Sequence, residues 1–161
     1  MQTPDPYQPS PPEQEDWPAR QPRPARGFED LSGLGFRLTW VSGLVLAISA
    51  FTDWYVGSGP GPTTSVIGWH TGALGKLVFF IGLAVLALVI LRESGIELPA
   101  TVPESLVVIA LGALSTVFVL IRLISIPDTI LYAGRGIGIW IALFAALGVI
   151  FGGLLRAGEE L

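Results

Sequence analysis

The sequence predicts an all-α membrane protein, a four-transmembrane-helix bundle with a disordered N-terminal tail. Hydrophobic residues make up 51% of the chain and charged residues only 14%, whereas an ordinary soluble domain is about one quarter charged. Four separate apolar runs of about 16 to 22 residues follow one another, and about 20 helical residues cross the hydrocarbon core of a bilayer. Eight of the thirteen prolines lie within residues 1–26. Together these three observations predict the fold class.

Residues 1–34 are predicted to form a disordered, proline-rich cytoplasmic tail. Residues 1–26 contain almost no aliphatic side chains, so ordering them would cost more entropy than burial returns. The composition favours a solvated tail with polyproline II character. Two functional alternatives are a docking segment for a proline-reading module and a membrane-proximal basic stretch at 20–26. Residues 27–34 form a short transition with amphipathic potential.

The membrane domain is predicted to cover residues 35–157, with a C-terminal tail at 158–161. Its four spans are expected at about 36–53, 72–92, 103–124 and 134–156. The first run also has the small residues of a signal-peptide cleavage site near AISA. We favour a retained helix, because the preceding tail is long for a signal peptide and three further runs follow.

The polar segments between the runs carry breaking and capping signals. Gly95 and Pro99 are expected to end the second helix, and Thr101 with Glu104 matches a capping box for the third. The segment TILYAGR, 129–135, is either a short interfacial helix or the first part of a long fourth helix. The glycine- and proline-rich GSGPGP, 57–62, lacks the strand and the Lys of a phosphate loop and is interpreted as a turn.

The orientation follows from the basic residues that flank the runs. With the N-terminus in the cytoplasm, six basic residues lie on the inner side and three on the outer side, which favours cytoplasmic N- and C-termini. The inner set is Arg20, Arg23, Arg26, Arg37, Arg92 and Arg156, and the outer set is Lys76, Arg122 and Arg135. The expected location is the plasma membrane, as a multi-pass protein.

Small residues on the apolar runs predict close helix packing. Gly43 and Ala47 are spaced by four, as are Gly148 and Gly152 in the motif GVIFG, and such pairs let backbones approach within lipid. The fourth run contacts either other helices of the chain or, through Gly148 and Gly152, a second protomer or another membrane protein. Tryptophans near the predicted span ends indicate an interfacial aromatic belt, and they are Trp40, Trp54, Trp69 and Trp140.

A candidate polar cluster, functional or structural, lies at the predicted outer end of the bundle. Arg122 stands inside the third apolar run, where a charge must pair, snorkel or face a polar cavity. Asp53 is its expected partner, and the alternative is a structural ion pair or simple snorkelling. The single His of the chain, His70, is a candidate proton relay or metal ligand, although an interfacial helix start is the simpler interpretation. The full cluster is Asp53, His70, Arg122, Asp128 and Arg135.

Several function classes find no support in the composition. The chain contains no cysteine, which excludes disulfides, thiolate metal sites and cysteine nucleophiles. Only one Lys occurs, and the eight Arg do not form the basic surface that nucleic acid requires. No residue pattern indicates a catalytic constellation, a cofactor or a metal site, so we expect a protein that is not an enzyme.

The order of four motifs resembles a group of uncharacterised small four-span membrane proteins of actinobacteria and their relatives. The motifs are FTDWY at the end of the first run, SVIGWHTG at the start of the second, LIRLISIPD and GIGIWIALFAALGVIFGG. The resemblance covers about residues 36–156. It implies a four-span architecture and implies no reaction, cofactor or substrate.

The function expected from these observations is that of a non-enzymatic accessory or scaffold subunit of a membrane complex. Nearly uncharged spans with small-residue stripes are typical of proteins that act through helix faces. The alternative is an oligomeric transporter or channel component with Arg122 and Asp53 near its outer mouth. A third hypothesis is an enzyme with a site built on His70.

Overall fold

The computed structural model describes residues 26–57, 64–96, 103–125 and 133–160. The elements within these ranges are α1 (Arg26–Ser49), β1 (Asp53–Gly57), β2 (Ser65–Ile67), α2 (Ala73–Glu93), α3 (Glu104–Ile124), β3 (Ala133–Arg135) and α4 (Ile137–Glu160). A single 3₁₀ turn, Gly68–His70, lies between β2 and α2. The predicted disorder of residues 1–25 falls outside the described residues.

The predicted helical class is confirmed in its coarse form, and the all-α prediction misses a small sheet. Strand β1 pairs antiparallel with β2 on one side and with β3 on the other. Strands of three to five residues are too short to show the alternation that identifies a strand. Residues 133–135, expected to be helical, form β3 because β1 offers them an unpaired backbone edge.

The four helices pack side by side, each against two neighbours. Helix α1 contacts α2 and α4, and α3 contacts the same two helices. The end of the molecule that carries the three strands and the 3₁₀ turn is called the cap end. It contains the end of α1, the start of α2, the end of α3 and the start of α4. The other end is called the opposite end.

The most extensive helix contact is between α1 and α4, and it uses the two glycines predicted on α4. A Cβ at Gly152 would lie 2.9 Å from the backbone nitrogen of Thr39, and a Cβ at Gly148 would meet the hydroxyl of Ser42. Both α1 residues are buried. Gly148 and Gly152 therefore contact α1 within the chain, and self-association through them stays a prediction.

The first helix begins earlier and ends earlier than the predicted span. It starts at Arg26, so the predicted transition at 27–34 belongs to the helix. It ends at Ser49, where the Thr52 hydroxyl donates to the Ser49 carbonyl (2.7 Å). Threonine and serine hydroxyls compete with the helical backbone in this way. Asp53, expected at the end of the span, is instead the first residue of β1.

The break after α2 follows the sequence prediction. Gly95 has φ +75°, a left-handed conformation that glycine adopts without the Cβ penalty. Its N–H donates to the carbonyl of Arg92 (3.0 Å), and the N–H of Ile96 donates to that of Leu91 (3.0 Å). This pair of hydrogen bonds is a Schellman motif, which satisfies terminal carbonyls of the helix.

Within the described residues, three helices are long and apolar enough to cross a membrane, and they are Ala73–Glu93, Glu104–Ile124 and Ile137–Gly158. The apolar part of α1, Gly33–Ser49, is shorter. Large apolar side chains remain exposed along the helices, including Ile124 (78%), Ile137 (74%) and Phe144 (69%). Water would penalise such a surface, whereas lipid would not. These features indicate a membrane-embedded protein.

Candidate functional site at the cap end

The cap end is built on a short turn that leads directly from α1 into β1. The N–H groups of Ala50, Phe51 and Thr52 donate to the carbonyls of the preceding helical turn. Strand β1 then lies in the middle of the sheet, with Tyr55 opposite Arg135 in β3 and opposite Val66 in β2. The sheet thereby joins the connection between α1 and α2 to the connection between α3 and α4.

Trp54 is a core residue of the cap rather than an interfacial anchor. Its side chain is fully buried, and its indole N–H donates to the carbonyl of Ser49 (2.8 Å). A Cβ at Gly68 would lie 2.6 Å from the ring, so the 3₁₀ turn covers the indole closely. The expectation of an aromatic belt is therefore wrong at Trp54, because burial in the cap excludes this residue from the surface.

Two side chains of the sheet stabilise the end of α3. The hydroxyl of Tyr55 donates to the carbonyl of Arg122 (2.6 Å), and Nε of Arg135 donates to the carbonyl of Leu123 (2.7 Å). These carbonyls belong to the last helical turn, whose backbone acceptors have no partner within the helix. A guanidinium at this position also complements the negative end of the helix dipole. Tyr55 was not singled out by the sequence, since one tyrosine in a short strand has no distinguishing pattern.

The pKa of Tyr55 is raised, and burial of its hydroxyl is the main cause. The guanidinium groups of Arg122 and Arg135 act in the opposite direction, because nearby positive charge favours the phenolate. Burial outweighs both. The phenol is therefore held neutral as a hydrogen-bond donor.

Arg122 is half-buried at the cap end of α3, and its guanidinium lies beside Gly72. A Cβ at Gly72 would lie 2.7 Å from one terminal nitrogen of Arg122. The Nε atom is buried and has no hydrogen-bond partner within the described part of the chain. The ion pair expected with Asp53 is likewise absent among the described residues, whose ion pairs are all at the opposite end. A functional role for the cluster predicted around Arg122 therefore stays a prediction.

The remaining predicted cluster residues lie in different settings. Asp53 is half-buried at the start of β1, and its carbonyl is close enough to Gly136 to exclude a Cβ there. His70 is exposed at the end of the 3₁₀ turn. Asp128 falls outside the described residues. Within 26–57, 64–96, 103–125 and 133–160, no three His, Cys, Asp or Glu side chains converge as metal ligands would.

A partly exposed aromatic cluster lies next to the cap, where α1 ends and α2 begins. The rings of Phe51 and Trp69 stack with centroids 5.6 Å apart, and Phe79 meets both edge-on. The ammonium of Lys76 lies 5.7 Å from the centroid of the Trp69 ring, within the range of a cation–π interaction. Trp69, predicted to be interfacial, is only half-buried, so its surface is available to lipid headgroups.

The opposite end contains a buried ion pair that the sequence did not reveal. The guanidinium of Arg156, only 3% exposed, lies 3.2 Å from the Glu104 carboxylate. Arg92 approaches the same carboxylate at 3.5 Å, and the Phe36 ring lies 5.7 Å from the Arg156 guanidinium. Helix α3 begins with Pro103 as N-cap, and Thr101, the other member of the predicted capping box, lies outside the described residues. The sequence contained one signal for this ion pair, because residues of opposite charge flank three of the apolar runs at the same predicted end of the bundle.

Comparisons of the chain with protein-family models, with curated proteins and with solved structures found no match. Membership in the group of actinobacterial four-span proteins therefore stays a prediction.

Proposed function

We propose that the chain is a four-span integral protein of the plasma membrane that acts as a non-enzymatic accessory or scaffold subunit. The observation that carries this proposal is the exposed apolar surface of the helices, with residues such as Phe144 and Ile124 exposed. Gly148 and Gly152 of α4 face α1 and Gly153 faces α3, and the exposed side chains of the outer surface are large and apolar. Such side chains supply the contact area by which neighbouring membrane proteins pack.

The polar residues of the cap support a structural role. Tyr55 and Arg135 donate to backbone carbonyls of α3, and Trp54 donates to the end of α1. Their hydrogen-bonding groups thus hold the two cap connections together. A cap of this kind fixes the positions of four helices, which is what a scaffold surface requires.

The proposed topology has the opposite end in the cytoplasm. Exposed Arg37 and Arg92 lie toward that end, as the preference of basic residues for the cytoplasmic side requires. The chain has no native cysteine, so single cysteines at His70→Cys and Ser94→Cys report the two ends separately. Both positions are exposed. An impermeant maleimide applied to intact cells is expected to label His70→Cys only. Labelling of Ser94→Cys alone would show that the topology is the reverse of the proposed one.

The accessory role is tested by affinity capture from a gentle detergent extract. We expect at least one integral membrane protein at near-equal molar amount, retained across two detergents. The matched variant is Phe144→Ala, which removes a 69% exposed ring without opening the core, and it is expected to lower the recovery of a partner that binds α4. Recovery of the chain alone from both detergents would contradict the accessory role.

A second candidate is an oligomeric transporter or channel component. The observation that favours it is the half-buried Arg122, whose Nε has no partner among the described residues. A charge near a span end marks a conducting or binding path when it faces a polar cavity. In proteoliposomes, Arg122→Gln is expected to lower ion flux, with Arg37→Gln as the control at the opposite end. Equal flux in both variants and the wild type would contradict this function.

A further inference from the structure

An open groove lies at the cap end between the end of α3 and the start of α4. Its volume is about 350 Å³, and its lining residues are Leu123, Ile124, Arg135 and Trp140. Three of these four residues are apolar and one is cationic. The groove therefore has the two chemical parts that an amphipathic ligand requires.

The apolar part of the groove lies at the end of two apolar helices. Ile124 is 78% exposed and Trp140 is 44% exposed, although both belong to helices that are long and apolar enough to span a membrane. Trp is enriched at the level of lipid headgroups, where its ring is apolar and its N–H is polar. We therefore expect the groove to open at the level where acyl chains meet headgroups.

The charged part is a guanidinium held in a defined position. Nε of Arg135 is bound to the carbonyl of Leu123 at 2.7 Å, which orients the group on the helix end. Arg135 is exposed, and no carboxylate within the described ranges forms an ion pair with it. Its guanidinium is therefore available to an external anion, and a guanidinium binds phosphate with two parallel hydrogen bonds.

We propose that this groove binds an anionic phospholipid, with the phosphate on Arg135 and an acyl chain along Leu123, Ile124 and Trp140. Charge complementarity selects the headgroup, since the groove offers a cation and no acidic lining residue among the described side chains. The apolar walls select a lipid over a free anion. The inference rests on the membrane location in the proposed function and is independent of the accessory role.

The test uses native mass spectrometry of the full chain purified in mild detergent and exposed to equal amounts of phosphatidylglycerol and phosphatidylcholine. The wild type is expected to retain one phosphatidylglycerol preferentially. Arg135→Gln is expected to weaken that retention roughly tenfold, which is about 1.4 kcal/mol, because it removes a charge-assisted hydrogen bond to the phosphate. Arg135→Lys keeps the charge but loses the two parallel hydrogen bonds, so its preference for phosphatidylglycerol is expected to lie between those of the wild type and Arg135→Gln. Arg37→Gln is the matched control and is expected to behave as the wild type.

A second variant separates loss of lipid binding from loss of folding. Ile124→Ser changes a residue that is 78% exposed, so folding is preserved while the apolar wall is shortened, and retention of both lipids is expected to fall. Equal retention of the two lipids by the wild type, or unchanged retention in Arg135→Gln, would overturn the proposal. Full competition by glycerol phosphate would overturn it in favour of a free-anion site. Recovery of the chain in the soluble fraction would instead refute the membrane location itself.

Discussion

The two ends of the molecule hold the helices together by different physical means. At the opposite end, a carboxylate on α3 is shared by two guanidinium groups, and Arg156 is almost completely buried beside it. At the cap end, hydrogen bonds from side chains to helix-terminal carbonyls join the elements, and the cations Arg122 and Arg135 have no acidic partner among the described residues.

The difference predicts which end of the molecule neutralises its charges internally and which end can attract an external anion. A buried ion pair neutralises its charges internally and loses its stabilising effect when one partner is removed. An unpaired cation at a surface keeps its electrostatic attraction for an external anion. We therefore expect stability at the opposite end to depend on the charges of its side chains. At the cap end we expect stability to depend on steric fit, and the exposed cation to bind lipid.

The largest effect is expected from Glu104→Gln at the opposite end. The substitution removes the carboxylate charge beside Arg156, whose side chain is 3% exposed, and should cost about 3 kcal/mol or more. Unfolding by SDS titration in mixed micelles measures the change. The double variant Glu104→Leu with Arg156→Met is expected to recover most of the loss, because well-packed apolar residues replace buried ion pairs at little cost. No recovery would show that the pair has a role besides charge neutralisation.

The next effect is steric and belongs to the cap end. A Cβ at Gly75 would overlap the backbone carbonyl of Gly68, and backbone atoms cannot move aside as a flexible side chain can. Gly75→Ala is expected to lower the free energy of unfolding by about 2 kcal/mol. Gly33→Ala is the control, because a Cβ added to Gly33 would meet no atom within 4 Å. Equal stability of the two variants would refute the close contact of the 3₁₀ turn with α2.

A smaller effect is expected from Tyr55→Phe. The substitution removes the donor to the Arg122 carbonyl and keeps the ring, so the expected cost is about 1 kcal/mol. Thermal unfolding followed by tryptophan fluorescence measures it. A cost near zero would show that water replaces the hydroxyl and that the end of α3 does not depend on the sheet.

The same tyrosine predicts a dependence on alkaline pH. Burial raises the pKa of Tyr55 above its ordinary value of 10.0, so the phenol ionises more readily in the unfolded state. Its contribution to stability is fully present below pH 10.0 and is lost as the pH rises through the folded pKa. Wild-type stability should therefore fall more steeply above pH 10.0 than that of Tyr55→Phe. Parallel pH profiles for the two proteins would contradict burial of the hydroxyl.

The smallest effect is expected from Arg92→Gln. Its side chain is 47% exposed and lies 3.5 Å from Glu104, and solvent-exposed ion pairs contribute at most about 1 kcal/mol. The free energy of unfolding should change by less than about 0.5 kcal/mol. A loss as large as that of Glu104→Gln would mean that the exposed and buried guanidinium groups share the stabilising role.

Local signals in the sequence were sufficient to predict the helical class, the approximate positions of α2, α3 and α4, and the break at Gly95. Long apolar runs and a glycine that accommodates a left-handed conformation can be recognised without knowing the rest of the chain. The cap could not be predicted in this way. Strands β1 and β3 come from segments far apart in the chain, and each is too short to show periodicity.

Which polar residues meet depends on the tertiary structure. Trp54 is in the core instead of at the interface, Arg122 has no ion pair with Asp53 within the described residues, and Glu104 forms an ion pair with Arg156. The physical reason is that a charge at the end of a helix has several potential partners on the neighbouring helix ends. The packing of three different helices selects among them, and that packing is a long-range property.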